Sequence, residues 1–395
     1  MVSQLAKRFI RRFLKGFLSG VGLYAGFKTV TALVKNPFRE RLPNIAKEIL
    51  SKDCVRFAAF LGLYPSVYEF LVRTIHKIRG TKDGWNHGIA GGLAGLTIVL
   101  ENPVRRRTLS LFTISRALGA LVSTLITRGQ IPSIVHGDTL LFCLSCSFLV
   151  YCTALRPHLL PKGYYYSVLK WSRDYTDDNL NQLFRVPGEK FLTCNEVGLH
   201  TDSCTSHALR DLIQSWPMFA KLYLPIHLAP VLIFRHKLLI NRPAKVLRSL
   251  IKNTVMSTTF LASMVMLAKY VVCFLRTTLR EPPPLRHYIP AVAGLVAGLG
   301  VLFERANRRK ELVLFLIPHT LYALFVWGME KHILPWVPYS SVPLFALSTA
   351  SIMHAYEREP DSMTPLINGI LRYFVGERVD KSKRAIKLRT ESELM

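Results

Sequence analysis

Eight apolar runs, separated by short polar or basic segments, dominate this sequence. They cover residues 54–75, 85–100, 109–126, 139–155, 255–275, 287–303, 312–327 and 340–356. At about 1.5 Å per residue in a helix, each run can cross most or all of a ~30 Å hydrocarbon layer. The pattern predicts an all-α protein with four membrane-spanning helices in each half.

A weaker apolar segment leads each half. Lys28 interrupts residues 16–33, while residues 217–234 contain Lys221 and Pro225. If only the stronger runs cross, every basic loop falls on one side of the membrane, as the positive-inside tendency prefers. We therefore expect the leading segments to be interfacial or half-inserted. If they also cross, the two halves become inverted repeats.

The two halves match each other at a fixed offset of 203 residues. Setting Ala90 on Ala293 without a gap pairs Gly91 with Gly294, Gly95 with Gly298, Glu101 with Glu304, Arg105 with Arg308, Arg106 with Arg309 and Ala120 with Ala323. This many identities in one order indicate an internal duplication. The repeated element is a small-residue helix, an acidic and basic loop, and a second helix.

Composition and charge support a membrane protein. Half of the 395 residues are hydrophobic, and the mean hydropathy is +0.24. The net charge of +27 can indicate either nucleic acid or an anionic membrane surface as a partner. Because the basic residues lie in loops between apolar runs, we expect the bilayer and anionic lipid headgroups as partners, and no nucleic acid. The oligomeric state stays open.

The duplication and the polar segments divide the chain into five parts. They are a basic amphipathic N-terminal segment (1–52), a first membrane repeat (53–156), a polar connector (157–216), a second membrane repeat with its leading segment (217–356) and a charged tail (357–395). The N-terminal segment is rich in arginine and has no acidic residue before Glu40. It is typical of a helix lying on anionic lipid or of a mitochondrial targeting helix.

Glycines on the two small-residue helices predict close helix packing. They are Gly88, Gly91, Gly92 and Gly95 in the first half and Gly294 and Gly298 in the second. Helices in lipid have little hydrophobic drive to associate, so missing side chains let their backbones approach. We expect these glycines to form packing faces; the alternative is that the same faces also line a polar groove.

An acid followed by two arginines ends each small-residue helix. The residues are Glu101, Arg105 and Arg106 in the first copy and Glu304, Arg308 and Arg309 in the second. Interfacial ion pairs are one interpretation of this pattern. If the acids instead face a cavity, they mark a transport or lipid-headgroup site.

The connector supplies a candidate metal site. Cys194, His200, Cys204 and His207 lie close together in sequence, and two thiols with two imidazoles could complete a tetrahedral zinc site. The alternative is an ordinary polar loop. The seven cysteines predict no disulfide framework, and we expect those within apolar runs, including Cys273, to behave as small apolar residues. No nucleophile motif or phosphate loop is present, so we expect neither an enzyme nor a cofactor.

Several segments resemble one membrane-protein family. IVHGDTLLFCLSCSFLVY, TALRPHLLPKGYYYSVLKW, CNEVGLHTDSCTSHALRDLIQSWPMFAKLYLPIHL and FERANRRKELVLFL resemble parts of the transmembrane protein 135 family, which is related to the mitochondrial inner-membrane translocase (Tim) proteins. The resemblance covers most of residues 50–356. It implies two Tim-like four-helix repeats with amphipathic leading helices, in a peroxisomal or mitochondrial membrane.

The resemblance also implies a function. We expect a non-enzymatic organelle membrane protein that regulates mitochondrial and peroxisomal organisation, fission balance and lipid homeostasis, with the organelle fission machinery as an implied partner. The alternative is a translocase or a lipid or solute conduit whose path lies between the helices that contain Glu101 and Glu304.

Overall fold

The computed structural model describes residues 2–35, 51–234 and 241–376, and within these ranges the chain is helical with no strand. The prediction of an all-α protein is therefore confirmed for the described residues. Residues 377–395, which make up most of the charged tail, lie outside the described ranges. So do parts of the basic clusters that precede residues 51 and 241.

Thirteen α-helices occur in the described ranges. They are α1 (Val2–Lys35), α2 (Lys52–Arg79), α3 (Gly84–Gly95), α4 (Pro103–Thr127), α5 (Gly137–Leu155), α6 (Lys162–Ser172), α7 (Asp177–Phe184), α8 (Cys204–Phe234), α9 (Pro243–Leu279), α10 (Tyr288–Gly298), α11 (Ala306–Glu330), α12 (Ser341–Arg358) and α13 (Pro365–Val375). Short 3₁₀ helices follow α3, α5, α10 and α12.

Local sequence signals explain several helix ends. Ser51 caps α2 by accepting a hydrogen bond from the Cys54 amide. Asp83 caps α3 by accepting a hydrogen bond from the Asn86 amide. These side chains satisfy amides that have no partner within the helix. Gly80 ends α2 in the left-handed region, at φ 66°, where a residue without Cβ is favoured.

Helix bounds recur at the same offset as the sequence identities. The 3₁₀ segment Leu96–Leu100 corresponds to Leu299–Phe303, and α6 corresponds to α13. In each copy a straight helix tightens into a 3₁₀ turn before the acidic residue. Since a 3₁₀ turn rises about 2 Å per residue, α3 with its 3₁₀ extension is about 28 Å long.

The chain forms two compact units that differ from the sequence halves. Unit 1 comprises Met1–Pro132 and Val337–Met395, and unit 2 comprises Ser133–Trp336. Helix α5, from the first half, therefore belongs to unit 2, and α12, from the second half, belongs to unit 1. The two contiguous membrane repeats predicted at 53–156 and 217–356 are thus not the compact units, because each has its last long helix in the other unit.

Unit 1 is built on two helix pairs. Helix α1 packs along α2, where a Cβ added to Gly20 would lie 2.7 Å from the Ala58 Cα. Helix α3 packs against α12, with Ala90, Ala94 and Met353 fully buried between them. The leading segment 16–33 is thus part of a helix packed along the first apolar run.

Unit 2 repeats this arrangement with a larger core. Helix α8 packs along α9, and α5 packs against α10 and α11. Phe142, Leu149 and Phe260 are buried in one cluster. The connector forms a second cluster, in which Leu183 and Val197 pack near Ile289 at the start of α10.

Five described helices are long and apolar enough to cross a membrane. Their spans are Lys52–Arg79, Pro103–Thr127, Gly137–Leu155, Pro243–Leu279 and Arg308–Glu330. This is consistent with a multi-pass membrane protein. The sequence predicts eight spans, and the three that do not qualify are the short α3 and α10 with their 3₁₀ extensions, and α12. The leading helices α1 and α8 also fall outside this set.

Candidate functional site

The glycines of α3 bring its backbone against α12. A Cβ added to Gly91 would lie 2.7 Å from Met353 Cγ, and one added to Gly95 would lie 2.9 Å from the Ala346 Cα. Gly88 and Gly92 face the same helix at slightly larger distances, near His354 and Ala350. All four predicted packing glycines of the first half therefore contact one helix.

The second copy makes the equivalent contacts with α5. A Cβ on Gly294 would lie 2.5 Å from the Cys146 carbonyl oxygen, and one on Gly298 would lie 2.6 Å from the Cys143 Cα. Cys143 and Cys146 correspond, at the offset of 203, to the α12 residues that face Gly95 and Gly91. Each glycine helix therefore packs on the last long helix of the other half of the sequence, through matching positions. We call this arrangement the helix exchange.

Glu101 lies buried at the turn between the first 3₁₀ segment and α4, with 3% of its surface exposed. Its Oε2 accepts a hydrogen bond from Arg105 Nη1 at 3.0 Å, and Arg105 also donates to the Asp53 carbonyl oxygen. Burial raises the pKa of the Glu101 carboxyl, and the charge of Arg105 opposes that rise. Arg106 is not in this pair; its guanidinium lies 4.9 Å from the ring centre of Tyr339.

Glu304 occupies the equivalent turn of unit 2 and is 2% exposed. Ser257 Oγ donates to Glu304 Oε2 at 2.6 Å, and Arg308 Nη1 lies 3.3 Å from both carboxylate oxygens. Arg309 instead donates to the backbone carbonyl oxygens of Glu304 and Leu302, each at 3.0 Å. Both copies thus pair a buried acid with the first arginine, and this ion pair ties the turn to the helix that follows it.

The connector gathers the main chemical cluster of unit 2. Cys194, His200, Cys204 and Cys273 each place one ligand atom within 4.8 Å of the other three. The sulfurs of Cys194 and Cys204 lie 3.9 Å apart, and Cys273 Sγ lies 3.6 Å from His200 Nε2. Three of these residues belong to the predicted metal set, and the fourth comes from α9.

His207, the remaining member of the predicted set, lies beside the cluster. Its ring stacks on His200 with centres 4.4 Å apart, and its Nε2 lies 3.1 Å from Asp174 Oδ2. His207 therefore packs against the His200 ring and is not one of the four grouped ligands. Cys273, which the sequence suggested was only a small apolar residue, takes the fourth position instead.

The loop that carries the first two ligands has little regular structure. No helix is formed between Arg185 and Ser203, yet Val197 and Leu199 are buried. Gly198 lies between the ligands at φ 76°, a left-handed conformation that favours glycine. It lets the chain turn back so that Cys194 and His200 face the same point.

Charged groups surround the cluster. Arg276, one turn after Cys273, donates from Nη2 to Cys194 Sγ at 2.7 Å. The pKa of the Cys194 thiol is lowered to about 5, first by a hydrogen bond from Cys273 and then by the positive charge of Arg276. This lowering favours the thiolate, which is the form that binds metal ions.

A balanced charge network lies next to the cluster. Lys269 Nζ pairs with Asp174 and lies 2.9 Å from Asp211 Oδ2, and Arg173 also pairs with Asp211. These two cations and two anions offset one another. They fasten the connector and α8 to α9, and sequence reasoning missed them.

A signal for the missed residues exists in the sequence. Lys269, Cys273 and Arg276 are spaced four and three residues apart, so they share one face of α9. Polar residues in an apolar membrane helix are costly and face the protein interior. This polar stripe points toward the side of α9 that receives the connector.

Unit 1 contains an apolar groove of about 550 Å³. It runs between α3, α4 and α12 and is lined by small and aliphatic side chains, among them Ile89, Leu93, Ala120 and Ala350. Glu101 is not among its lining residues. One end is polar and includes His354, Arg128, Arg358 and Glu359.

The charged end of the groove is anchored by an ion pair. Arg128 Nε donates to Glu359 Oε1 at 2.9 Å, and Arg358, at the end of α12, is exposed beside them. The ionised lining residues therefore sum to a positive charge. The arrangement offers an apolar channel to a hydrocarbon chain and a cationic end to an anion.

No protein-family model matches the chain, and no solved structure matches it.

Proposed function

We propose that this chain is a non-enzymatic multi-pass membrane protein that binds a membrane lipid in the groove of unit 1. Through lipid handling it regulates the organisation of a mitochondrial or peroxisomal membrane. The observation that carries the proposal is the apolar groove with its cationic end. Its volume of about 550 Å³ lies in the usual range for ligand pockets, which is roughly 300–1,000 Å³.

The dimensions of the groove fit an acyl chain. Its lining follows α12 from Ala346 to Glu359, a rise of about 20 Å at 1.5 Å per residue. This exceeds the ~15 Å hydrocarbon depth of one leaflet, half of the ~30 Å layer. Trp85, Leu93 and Leu347 are well exposed along the rim, so the groove is open to a surrounding apolar phase.

The charged end selects the headgroup. Arg128 is held by Glu359, while Arg358 remains exposed. An anionic phospholipid would place its phosphate or carboxylate near Arg358 and its acyl chain along the groove. We therefore propose an anionic phospholipid, such as phosphatidylserine, as the occupant.

The buried acids take a structural role in this proposal. Glu101 and Glu304 are held by arginines and, for Glu304, by Ser257. A conduit that used these acids would need them to face a path for the cargo. The ion pairs favour lipid binding in unit 1 over transport past the two acids.

The resemblance to the transmembrane protein 135 family supports the organelle and the duplicated Tim-like architecture in the proposal. A tagged copy imaged against mitochondrial and peroxisomal markers would locate the protein. Deletion should change organelle number, shape or lipid content. If all three stay unchanged, the protein does not regulate organelle organisation.

Lipid binding is tested with the full chain in lipid nanodiscs, using phospholipids that carry a photoactivatable group on the acyl chain. We expect the wild-type protein to capture a phosphatidylserine probe more efficiently than a phosphatidylcholine probe. Ala120→Phe fills the groove from α4. Excluding about two methylenes, at ~0.8 kcal/mol each, should lower capture about tenfold.

Two further variants are a control for the groove substitution and a test of headgroup recognition. Leu118→Phe changes a neighbouring α4 residue outside the groove lining and should capture lipid normally. Arg358→Glu should remove the preference for phosphatidylserine while phosphatidylcholine capture stays unchanged. Equal capture by the wild type and Ala120→Phe would exclude the groove as the binding site.

A further inference from the structure

We infer that Cys194, His200, Cys204 and Cys273 bind one zinc ion, which fastens the connector to the end of α9. Cys194 and His200 come from the loop after α7, Cys204 from the first residue of α8, and Cys273 from the last two turns of α9. The site needs nothing from unit 1 and is independent of the proposed lipid groove.

The distances fit a tetrahedral zinc centre. With Zn–S near 2.3 Å and Zn–N near 2.0–2.1 Å, tetrahedral geometry requires S···S of about 3.8 Å and S···N of about 3.6 Å. The Cys194 and Cys204 sulfurs are 3.9 Å apart, and Cys273 Sγ is 3.6 Å from His200 Nε2. Two edges of the tetrahedron are therefore already at the required length.

The histidine is oriented as a metal ligand. His200 Nδ1 lies 2.8 Å from the Asp202 carbonyl oxygen, so this nitrogen carries the proton and donates the hydrogen bond. Nε2, which faces the sulfurs, is left with its lone pair. A hydrogen bond from the second ring nitrogen to a carbonyl is the usual support for a metal-bound histidine.

The buried positive charge of Arg276, beside the cluster, requires a neighbouring anion. Arg276 is 1% exposed, and in the part of the chain that the structure describes it forms no ion pair with a carboxylate. Its Nε and Nη1 atoms are buried without a hydrogen-bond partner. An uncompensated buried charge is costly.

A zinc ion with three thiolates and one neutral imidazole carries a net charge of −1. This offsets Arg276, whose Nη2 already donates to Cys194 Sγ. The neighbouring cations, Lys269 and Arg173, are paired with aspartates, so they do not compete for this anion. The cluster and the arginine thus neutralise each other when zinc is bound.

The donor set selects zinc among common metals. Three sulfurs and one nitrogen in a tetrahedral arrangement suit Zn²⁺, whereas Mg²⁺ and Ca²⁺ prefer oxygen ligands. With four protein ligands the site is closed to substrate, which is typical of a structural zinc. Its effect would be to cross-link an irregular loop to a rigid helix.

The position of the site suits this role. Helix α9 is 37 residues long, about 55 Å at 1.5 Å per residue, so it extends well beyond a ~30 Å hydrocarbon layer. Cys273 and Arg276 lie within two turns of its end at Leu279. Zinc would hold the connector at this end of the helix.

The test measures zinc in the full chain, purified in mild detergent under reducing conditions and without chelator. Elemental analysis should find one zinc per chain in the wild type. Cys204→Ser with Cys273→Ser should reduce the content at least tenfold. Cys146→Ser, a buried cysteine of α5 outside the set, should retain the full content.

Cobalt substitution provides a second measurement that needs no variant. Wild-type protein stripped of zinc should bind one Co²⁺ with the visible bands of tetrahedral cobalt and a near-ultraviolet thiolate-to-cobalt band. A wild-type protein that holds neither zinc nor cobalt would overturn the inference. So would a Cys194–Cys204 disulfide in native, unreduced protein, or equal zinc loss in Cys146→Ser and the double variant.

Discussion

The packing of Gly294 against α5 permits a direct test of the helix exchange. In Gly294→Ala, the new Cβ would lie 2.5 Å from the Cys146 carbonyl oxygen and 2.7 Å from the Ser147 Cα. Both neighbours are backbone atoms, so no side chain can rotate away. Ordinary contact begins at 3.4 Å, and α5 and α10 must therefore separate by about 0.9 Å.

This separation has a calculable cost. A gap of 0.5–1 Å forfeits roughly a quarter to a half of the dispersion energy of the atoms that line it. Overpacking of this kind costs about 1–3 kcal/mol. In a domain of 150–250 residues, each kcal/mol lowers Tm by about 2–4 °C, so we expect a decrease on the order of 2–12 °C.

Thermal unfolding of the full chain in detergent, followed by size-exclusion chromatography, measures this decrease. Gly22→Ala is the matched control, because among the described residues no atom outside the adjacent backbone of α1 lies within 4 Å of the Cβ added at this position. It should leave Tm unchanged or raise it slightly, since alanine is the better helix former. Gly92→Ala, with its nearest neighbour at 3.2 Å, should fall between them. If Gly294→Ala is as stable as Gly22→Ala, α5 does not pack on α10 in this way.

Two further predictions concern charged groups. Glu304→Gln replaces a carboxylate that is bonded to Ser257 and Arg308 and should cost about 1.5–3 kcal/mol in the same unfolding assay. An equal effect from Glu281→Gln, at a partly exposed acid that pairs with Arg286, would contradict it. Hydrogen bonds from Tyr165 and then Arg185 hold the pKa of the Asp177 carboxyl below its usual value. Its stabilising effect is therefore present above about pH 3.9 and is lost as the pH falls through the lowered pKa, so Asp177→Asn should weaken the decrease of Tm between pH 5 and 2.

The positions of the helices could be predicted from the sequence better than which helices pack on each other. Six of the eight apolar runs lie within a helix or a helix with its 3₁₀ extension, and the other two begin one residue before theirs, because hydrophobic length is a local property. The exchange is not local. Gly294 could face Thr349 within its own half of the sequence or Cys146 in the other half, and these two residues occupy matching positions at the offset of 203. No local pattern distinguishes them.

The metal cluster was predictable in part for a similar reason. Cys194, His200 and Cys204 are close in sequence, so their spacing revealed them. Cys273 lies 69 residues after Cys204, and a single cysteine in an apolar run is usually a packing residue. The polar stripe on α9 was the available signal, but its partner surface depends on how the connector folds back.

The helix exchange sets the order in which the protein can be completed during synthesis. Helix α3 emerges early, but its partner α12 ends at Arg358, 263 residues after Gly95. At 5–20 residues per second, the glycine face of α3 must wait roughly 13–50 s for the helix that covers it. Throughout that interval the glycine face of α3 in the ribosome-bound chain is exposed to the lipid or to the insertion machinery. A premature stop codon anywhere before α12 would leave the glycine face of α3 permanently uncovered, even though the helices encoded before the stop codon had been made.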